Sequence, residues 1–209
     1  EGKQKGRLHI RKSDFRYKRF RENTGTTAIF AVDASGSSAI ERLAETKGAI
    51  ELLLAECYVR RDQVALIAFR GKDSGTLLEP TRSLLRAKRN LSALPGGGGT
   101  PLASGILATL AMAISAGRKG QSVVTAFLTD GRGNVGLDGG TMKAQVAADT
   151  AKAARTFKTA GIRSIVIDTA QRPQGRAESL ALDLGAEYLP LPRGGSRAVA
   201  REIGSRMEA

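Results

Sequence analysis

Asp33, Ser35, Ser37, Thr100 and Asp130 are the residues of this 209-residue chain whose types and spacing suit a chemical task. Asp33 ends the unbroken apolar run Ala28-Ile-Phe-Ala-Val32, and hydroxyls follow at Ser35, Ser37 and Ser38 on a loop that turns at Gly36. Thr100 comes directly after the glycine run 96–99, and Asp130 shortly after a second apolar run at 122–128. Carboxylate and hydroxyl oxygens on tight loops are hard ligands with little room to move. Mg²⁺ suits such a set, taking a few protein oxygens and retaining water. Three of these positions also have a plainer use: Ser37, or Ser38 beside it, as a helix N-cap, Thr100 as another, and Asp130 as a turn residue. If some carboxylates act through water, the ligands touching the ion are largely neutral. The ion then stays electrophilic and seeks an external carboxylate.

Those loops need elements that hold them on one rim. The run 28–32 is short enough for a strand buried on both faces of a parallel sheet. From Ser38 the apolar positions Ile40, Leu43, Ala44, Ile50, Leu54, Cys57 and Tyr58 follow a helical period. Residues 63–69 read as the next strand, 71–75 as a turn, 76–79 as a short edge strand and 83–91 as a short basic helix. A helix of small apolar residues follows at 102–116, then a buried strand at 122–128, a helix at 141–160 and a strand at 162–167 ending at Asp168. Segments 176–184, 187–189 and 196–207 continue as helix, strand and helix. This alternation predicts an α/β fold: a doubly wound, mostly parallel central sheet with helices on both faces and one short antiparallel edge strand. In such sheets ligands bind beyond the carboxyl ends of the strands, at a topological switch point. Asp33 and Asp130 belong there.

The length allows one well-buried core, read here as a domain over 25–209 preceded by a basic arm at 1–24. Leu8, Ile10, Phe15, Tyr17 and Phe20 predict partial docking of the arm. Residues 1–22 hold nine Lys or Arg against three acids, about half of the net charge of +13. Such an arm suits a nucleic acid, an anionic membrane or an acidic protein segment, and equally a solvated linker. No apolar run reaches the length of a membrane span. There is no signal-peptide pattern, and the single Cys57 rules out an internal disulfide framework. A cytoplasmic location without a transmembrane segment is expected. The chain starts at Glu1, as expected of a piece of a longer protein.

Three other chemistries compete. Gly131-Arg-Gly-Asn-Val-Gly136 matches the dinucleotide fingerprint after a strand, with Asp168 ending the next one. A helix that starts several residues later, the long carboxylate spacing and the charge of Asp130 against a pyrophosphate argue against it. The run 96–101 lacks the Gly-Lys-Ser/Thr ending of a P-loop, so ATP hydrolysis is not expected here, and the lone His9 makes a serine-hydrolase triad less fitting still. A nucleic-acid binder would act through the arm with Arg82, Arg86, Lys88 and Arg89. Aromatics at 4% disfavour base stacking, whereas backbone binding needs only charge. Chelation by EDTA at fixed ionic strength separates a metal-dependent binder from a phosphate binder.

The order Asp-x-Ser-x-Ser, then Thr, then Asp resembles the metal-ion-dependent adhesion site of von Willebrand factor A (integrin I-type) domains, which are Rossmann-like. More narrowly, the chain is similar to the C-terminal part of the D subunit of magnesium chelatase. The matching stretches are Val32-Asp-Ala-Ser-Gly-Ser37, Arg61-Asp-Gln-Val-Ala-Leu-Ile-Ala-Phe-Arg70, Pro80-Thr-Arg-Ser83, Leu94-Pro-Gly-Gly-Gly-Gly-Thr-Pro-Leu102 and Leu128-Thr-Asp-Gly-Arg-Gly-Asn134. Ser38 stands where many relatives carry Met, which leaves the ligand set intact. The resemblance implies a non-catalytic, Mg²⁺-binding interaction domain with Asp33, Ser35, Ser37, Thr100 and Asp130 as its metal site. It implies a part in ATP-dependent insertion of Mg²⁺ into protoporphyrin IX for chlorophyll or bacteriochlorophyll synthesis. The full-length protein would form a hetero-oligomer with an AAA+ ATPase subunit, which uses the ATP, and a porphyrin-binding subunit. The adhesion-site ion is expected to be structural and distinct from the ion delivered to the porphyrin. Arg132, on the same rim, is expected to meet a partner carboxylate, and no nucleic-acid partner is expected. The alternative within the class is an A domain of another AAA+-associated complex, MoxR-like or cobalt chelatase-like.

Overall fold

The computed structural model describes residues 25–35, 48, 50–51, 54–55, 57–94, 96–170 and 172–190. The strands among them are β1 (Thr26–Asp33), β2 (Gln63–Arg70), β3 (Asp73–Thr81), β4 (Ser122–Thr129), β5 (Arg163–Asp168) and β6 (Glu187–Pro190). The described positions between 48 and 59 are helical (α1). They are followed by α2 (Leu84–Ser92), α3 (Leu102–Arg118), α4 (Lys143–Thr159) and α5 (Arg176–Leu184). The sheet runs β3-β2-β1-β4-β5-β6, every neighbouring pair parallel except β2 with β3.

β1, β2, β4 and β5 are almost wholly buried, as their continuous apolar runs require of strands covered on both faces. On one face Phe30, Val32, Leu66 and Leu128 pack with Ile50, Leu54 and Cys57 of α1 and Ala87 and Leu91 of α2. On the other, Ala31, Phe69, Phe127 and Val166 meet apolar residues of α3, α4 and α5. Phe157 of α4 sets its ring edge against Phe127 of β4 at 5.3 Å and 76°, a favourable aromatic geometry. Both strands at the ends of the sheet carry a proline, Pro80 in β3 and Pro190 in β6, which tolerates the missing N–H only at an edge.

The α/β expectation holds, with local corrections. Residues 71–75 are not all turn: Gly71 and Lys72 alone join the hairpin, and Asp73 already pairs with Arg70 and Ser74 with Phe69. The antiparallel edge strand is therefore nine residues long, not the short segment expected at 76–79. The helix expected from Thr141 begins at Lys143, because the chain ahead of it is held in a loop. Ser83 caps α2, its hydroxyl accepting from the Arg86 N–H at 3.3 Å. The start of the first helix at Ser38, the helix at 196–207 and the docking of the basic arm lie outside the described residues. No helix among the described residues is long and apolar enough to cross a membrane.

Candidate metal centre

β1 and β4 lie side by side, and the chain leaves them towards opposite ends of the sheet. This is a switch point of the kind where open α/β sheets bind ligands. The register Val32↔Leu128 puts Asp33 beside Thr129 at the carboxyl edge. The Thr129 hydroxyl donates to Asp33 Oδ2 at 3.0 Å and accepts from the Gly131 N–H at 3.1 Å. Ser35 donates to Asp33 Oδ1 twice, from its hydroxyl at 2.6 Å and its N–H at 3.0 Å. Ser35 Oγ also lies 2.5 Å from Thr100 Oγ1. A hydroxyl carries one proton, so with Ser35 donating to Asp33 it is Thr100 that donates to Ser35.

Backbone bonds tie the loops that bring these groups together. The Ala34 N–H donates to the Phe69 carbonyl at 3.2 Å, and the Gly97 N–H to the Ala34 carbonyl at 2.8 Å. The Gly71 N–H donates to the Gly99 carbonyl at 2.8 Å. A Cβ on Gly99 would sit 2.6 Å from both Gly71 O and Val135 Cγ2, so the glycine run permits an approach no larger residue allows. Gly131 has φ +76°, and a Cβ there would meet the backbone of Arg176 and Ala177 at 2.6 Å, where α5 begins.

Asp33 is partly buried, and burial pushes its carboxyl up to about 6. The hydrogen bonds from Ser35 and Thr129 pull the other way, and the negative charge of Asp130 adds to the rise. Its described hydrogen-bond partners are neutral groups, so the site holds a desolvated anion that a cation would relieve. Asp130 opens the loop that follows β4: its Oδ1 accepts from the Arg132 N–H at 2.9 Å and its Oδ2 lies 3.4 Å from Arg132 Nε. The turn role foreseen as the plainer use of Asp130 is thus present. The capping role for Thr100 is not: α3 has Pro101 at its N-cap and no side-chain cap bond.

Asp33, Ser35 and Thr100 are directly hydrogen-bonded, Asp130 influences Asp33 through its charge, and Ser37 lies outside the described residues. Arg132 is exposed, and its Nη2 lies 3.3 Å from Gln174 Oε1. Among the described residues no group of three or more His, Cys, Asp and Glu is placed to hold a metal. Three supporting residues escaped the sequence reading: Thr129, Asn134 and Asp149. Asn134 Oδ1 accepts from the Thr100 N–H. Asp149 is buried on α4, accepting from the Leu137 N–H at 2.9 Å and Gln145 Nε2 at 2.8 Å, and so holds the β4–α4 loop. Its signal was available, an acid falling on the apolar stripe of Val146, Ala153 and Phe157.

The dinucleotide reading fails on placement. Gly131, Gly133 and Gly136 lie in a loop, and α4 begins only at Lys143, so they open no helix. Asp168 is buried and already accepts from the Ala170 N–H at 2.8 Å and the Tyr188 hydroxyl at 2.9 Å.

A profile of the von Willebrand factor type A domain matches residues 28–132. The chain belongs to the von Willebrand factor type A domain family. This A domain is 50% identical over 200 residues to the magnesium-chelatase 60 kDa subunit of Cereibacter sphaeroides, covering 96% of the chain and 36% of that protein. Against the magnesium-chelatase 60 kDa subunit of Rhodobacter capsulatus it is 45% identical over 202 residues, covering 97% and 36%. The A domain is therefore homologous to magnesium-chelatase subunits, as the sequence resemblance implied, and spans about a third of the length of these curated relatives. The conserved hypothetical protein BatB from Bacteroides thetaiotaomicron superposes with a TM-score of 0.65 at 20% identity, over 88% of this chain and 100% of that one. That likeness concerns the fold alone.

Proposed function

We propose that this A domain binds Mg²⁺ at the strand-end rim and serves as a non-catalytic docking module of a magnesium chelatase. The observation that carries the reading is the meeting of loops at Ser35, whose hydroxyl touches both Asp33 at 2.6 Å and Thr100 at 2.5 Å. The donor chemistry fits the ion: hard oxygens with two carboxylates among them, one of which, Asp33, is raised to about 6 by burial. Asp33, Ser35, Thr100 and Asp130 would hold it together with Ser37, two positions after Ser35 in the sequence. When bound, the ion supplies a positive centre for an anionic oxygen of a partner. Thr129 and Ser35 orient the Asp33 carboxylate, Asn134 fixes the backbone of Thr100, and Arg132 anchors Asp130 while offering the partner a guanidinium.

The homology to magnesium-chelatase subunits supports the assembly: an AAA+ ATPase subunit that uses ATP, a porphyrin-binding subunit, and insertion of Mg²⁺ into protoporphyrin IX in the cytoplasm for chlorophyll or bacteriochlorophyll synthesis. The rim's ion is structural and separate from the ion delivered. In this reading residues 25–209 are the A domain and 1–24 a basic arm that adds charge-driven association. Calorimetric titration of the chain with Mg²⁺ tests the site, with binding expected in the wild type and lost in Asp33→Ala and Thr100→Ala. Pull-down with the two partner subunits, in Mg²⁺ and in EDTA, tests the docking. A wild-type chain that takes up no Mg²⁺ overturns the reading.

A further inference from the structure

Beside the rim lies a groove of about 1070 Å³, bounded by the β4–α4 loop, α4 and α5. Gly99, Gly131 and Arg132 line it, so it continues directly from the loops of the metal site. Val146, Ala147 and Ala151 of α4 give it an apolar wall. Among the described residues that line it are four exposed cations, Lys72, Arg132, Lys143 and Arg176, and a single acid, Asp183. On the loop along one bank Leu137 and Met142 are 48% and 72% exposed. Large apolar side chains standing in solvent beside an apolar-walled groove mark a contact surface, and an apolar centre with a charged rim is the usual anatomy of a protein interface.

We infer that this groove docks an acidic segment of another protein, one that carries aliphatic or aromatic side chains beside its carboxylates. Charge selects the occupant. Residues 1–22 and 191–209 are unsuited, with nine basic residues against three acids in the first stretch and four Arg against two Glu in the second. A second copy, at a net +13, is unsuited for the same reason. An acidic segment gains from the four cations, places its apolar side chains on the α4 wall and Met142, and brings a carboxylate towards the rim. That last contact rests on the metal reading above; the groove contacts do not.

Fluorescence anisotropy of the full chain with a labelled peptide of alternating Leu and Glu tests this, in Mg²⁺ and in EDTA at constant ionic strength. Versions with Gln for Glu and with Ser for Leu are each expected to bind at least about ten-fold more weakly. The double variant Lys143→Glu with Arg176→Glu is expected to weaken the Leu–Glu peptide at least about ten-fold in both buffers while its calorimetric Mg²⁺ affinity stays unchanged. Thermal melts confirm that the variant folds, and Lys143→Gln with Arg176→Gln replaces it if it does not. Thr100→Ala is expected to lose only the Mg²⁺-dependent part of the peptide affinity. Equal binding of the Gln peptide, or full affinity in the double variant, overturns the groove assignment. So does equal binding of the Ser peptide, since a plain polyanion such as a nucleic acid then accounts for the cations. Groove binding intact in a wild-type chain that takes no Mg²⁺ overturns the metal reading alone.

Discussion

Thr100 and Asn134 exchange two hydrogen bonds: the Thr100 N–H donates to Asn134 Oδ1 at 2.6 Å, and the Asn134 N–H donates to the Thr100 carbonyl at 3.1 Å. This clamp joins the glycine-rich loop to the β4–α4 loop and aims the Thr100 hydroxyl at Ser35. Groups that orient a metal ligand typically govern affinity by 10–100-fold. Asn134→Ala is therefore expected to weaken Mg²⁺ binding about ten-fold, whereas Asn134→Asp, which keeps the acceptor, retains most of it. Calorimetry on both variants decides; equal affinities would mean that Thr100 is held by its own loop.

Asp33 links the site to stability. Its carboxyl lies at about 6 in the folded chain against an ordinary value of 3.8. Between these values the folded state holds more protons than the unfolded one, so metal-free stability rises as pH falls from about 6 towards 4 and is flat above 6. Asp33→Asn removes the desolvated charge and keeps an acceptor for Ser35. The substituted chain is expected to be about 1–2 kcal/mol more stable than wild type at pH 8 in EDTA, the gap closing near pH 4. Urea unfolding across that pH range checks it, and a less stable variant at pH 8 contradicts the electrostatic account.

Gly131→Ala is expected to destabilise by more than about 2 kcal/mol. The φ of +76° strains any L side chain, and the added methyl meets α5 backbone at 2.6 Å, which cannot yield as a flexible side chain would. Thermal melts measure the loss; a change within error would show that α5 shifts freely.

Deleting residues 1–21 is expected to leave the Mg²⁺ dissociation constant unchanged. It should weaken association with acidic partners mainly at low salt, where exposed charges are least screened. Binding titrations at two ionic strengths, with and without the arm, separate these effects. Lost Mg²⁺ binding would make the arm part of the site.

The sequence by itself determined the sheet and its chemistry-bearing edge. β1, β2, β4 and β5 are continuous apolar runs because a strand covered on both faces has no solvent side to mark. The polar residues that end those runs, Asp33 and Asp130, announced the rim for the same reason. Asp73, Ser74 and Gly75 carried no such signal, since none is a large apolar residue and they join β3 only by pairing back onto Arg70, Phe69 and Ala68 of β2. The tertiary structure alone decided what supports the proposed metal ligands. Thr129 reaches Asp33, 96 positions away, because β1 and β4 pair in the register Val32↔Leu128. Asn134 reaches Thr100 because the two loops leave neighbouring parts of one rim. Local spacing carries the periodicity of burial; contacts between distant loops arise only when the sheet closes its register and brings them together.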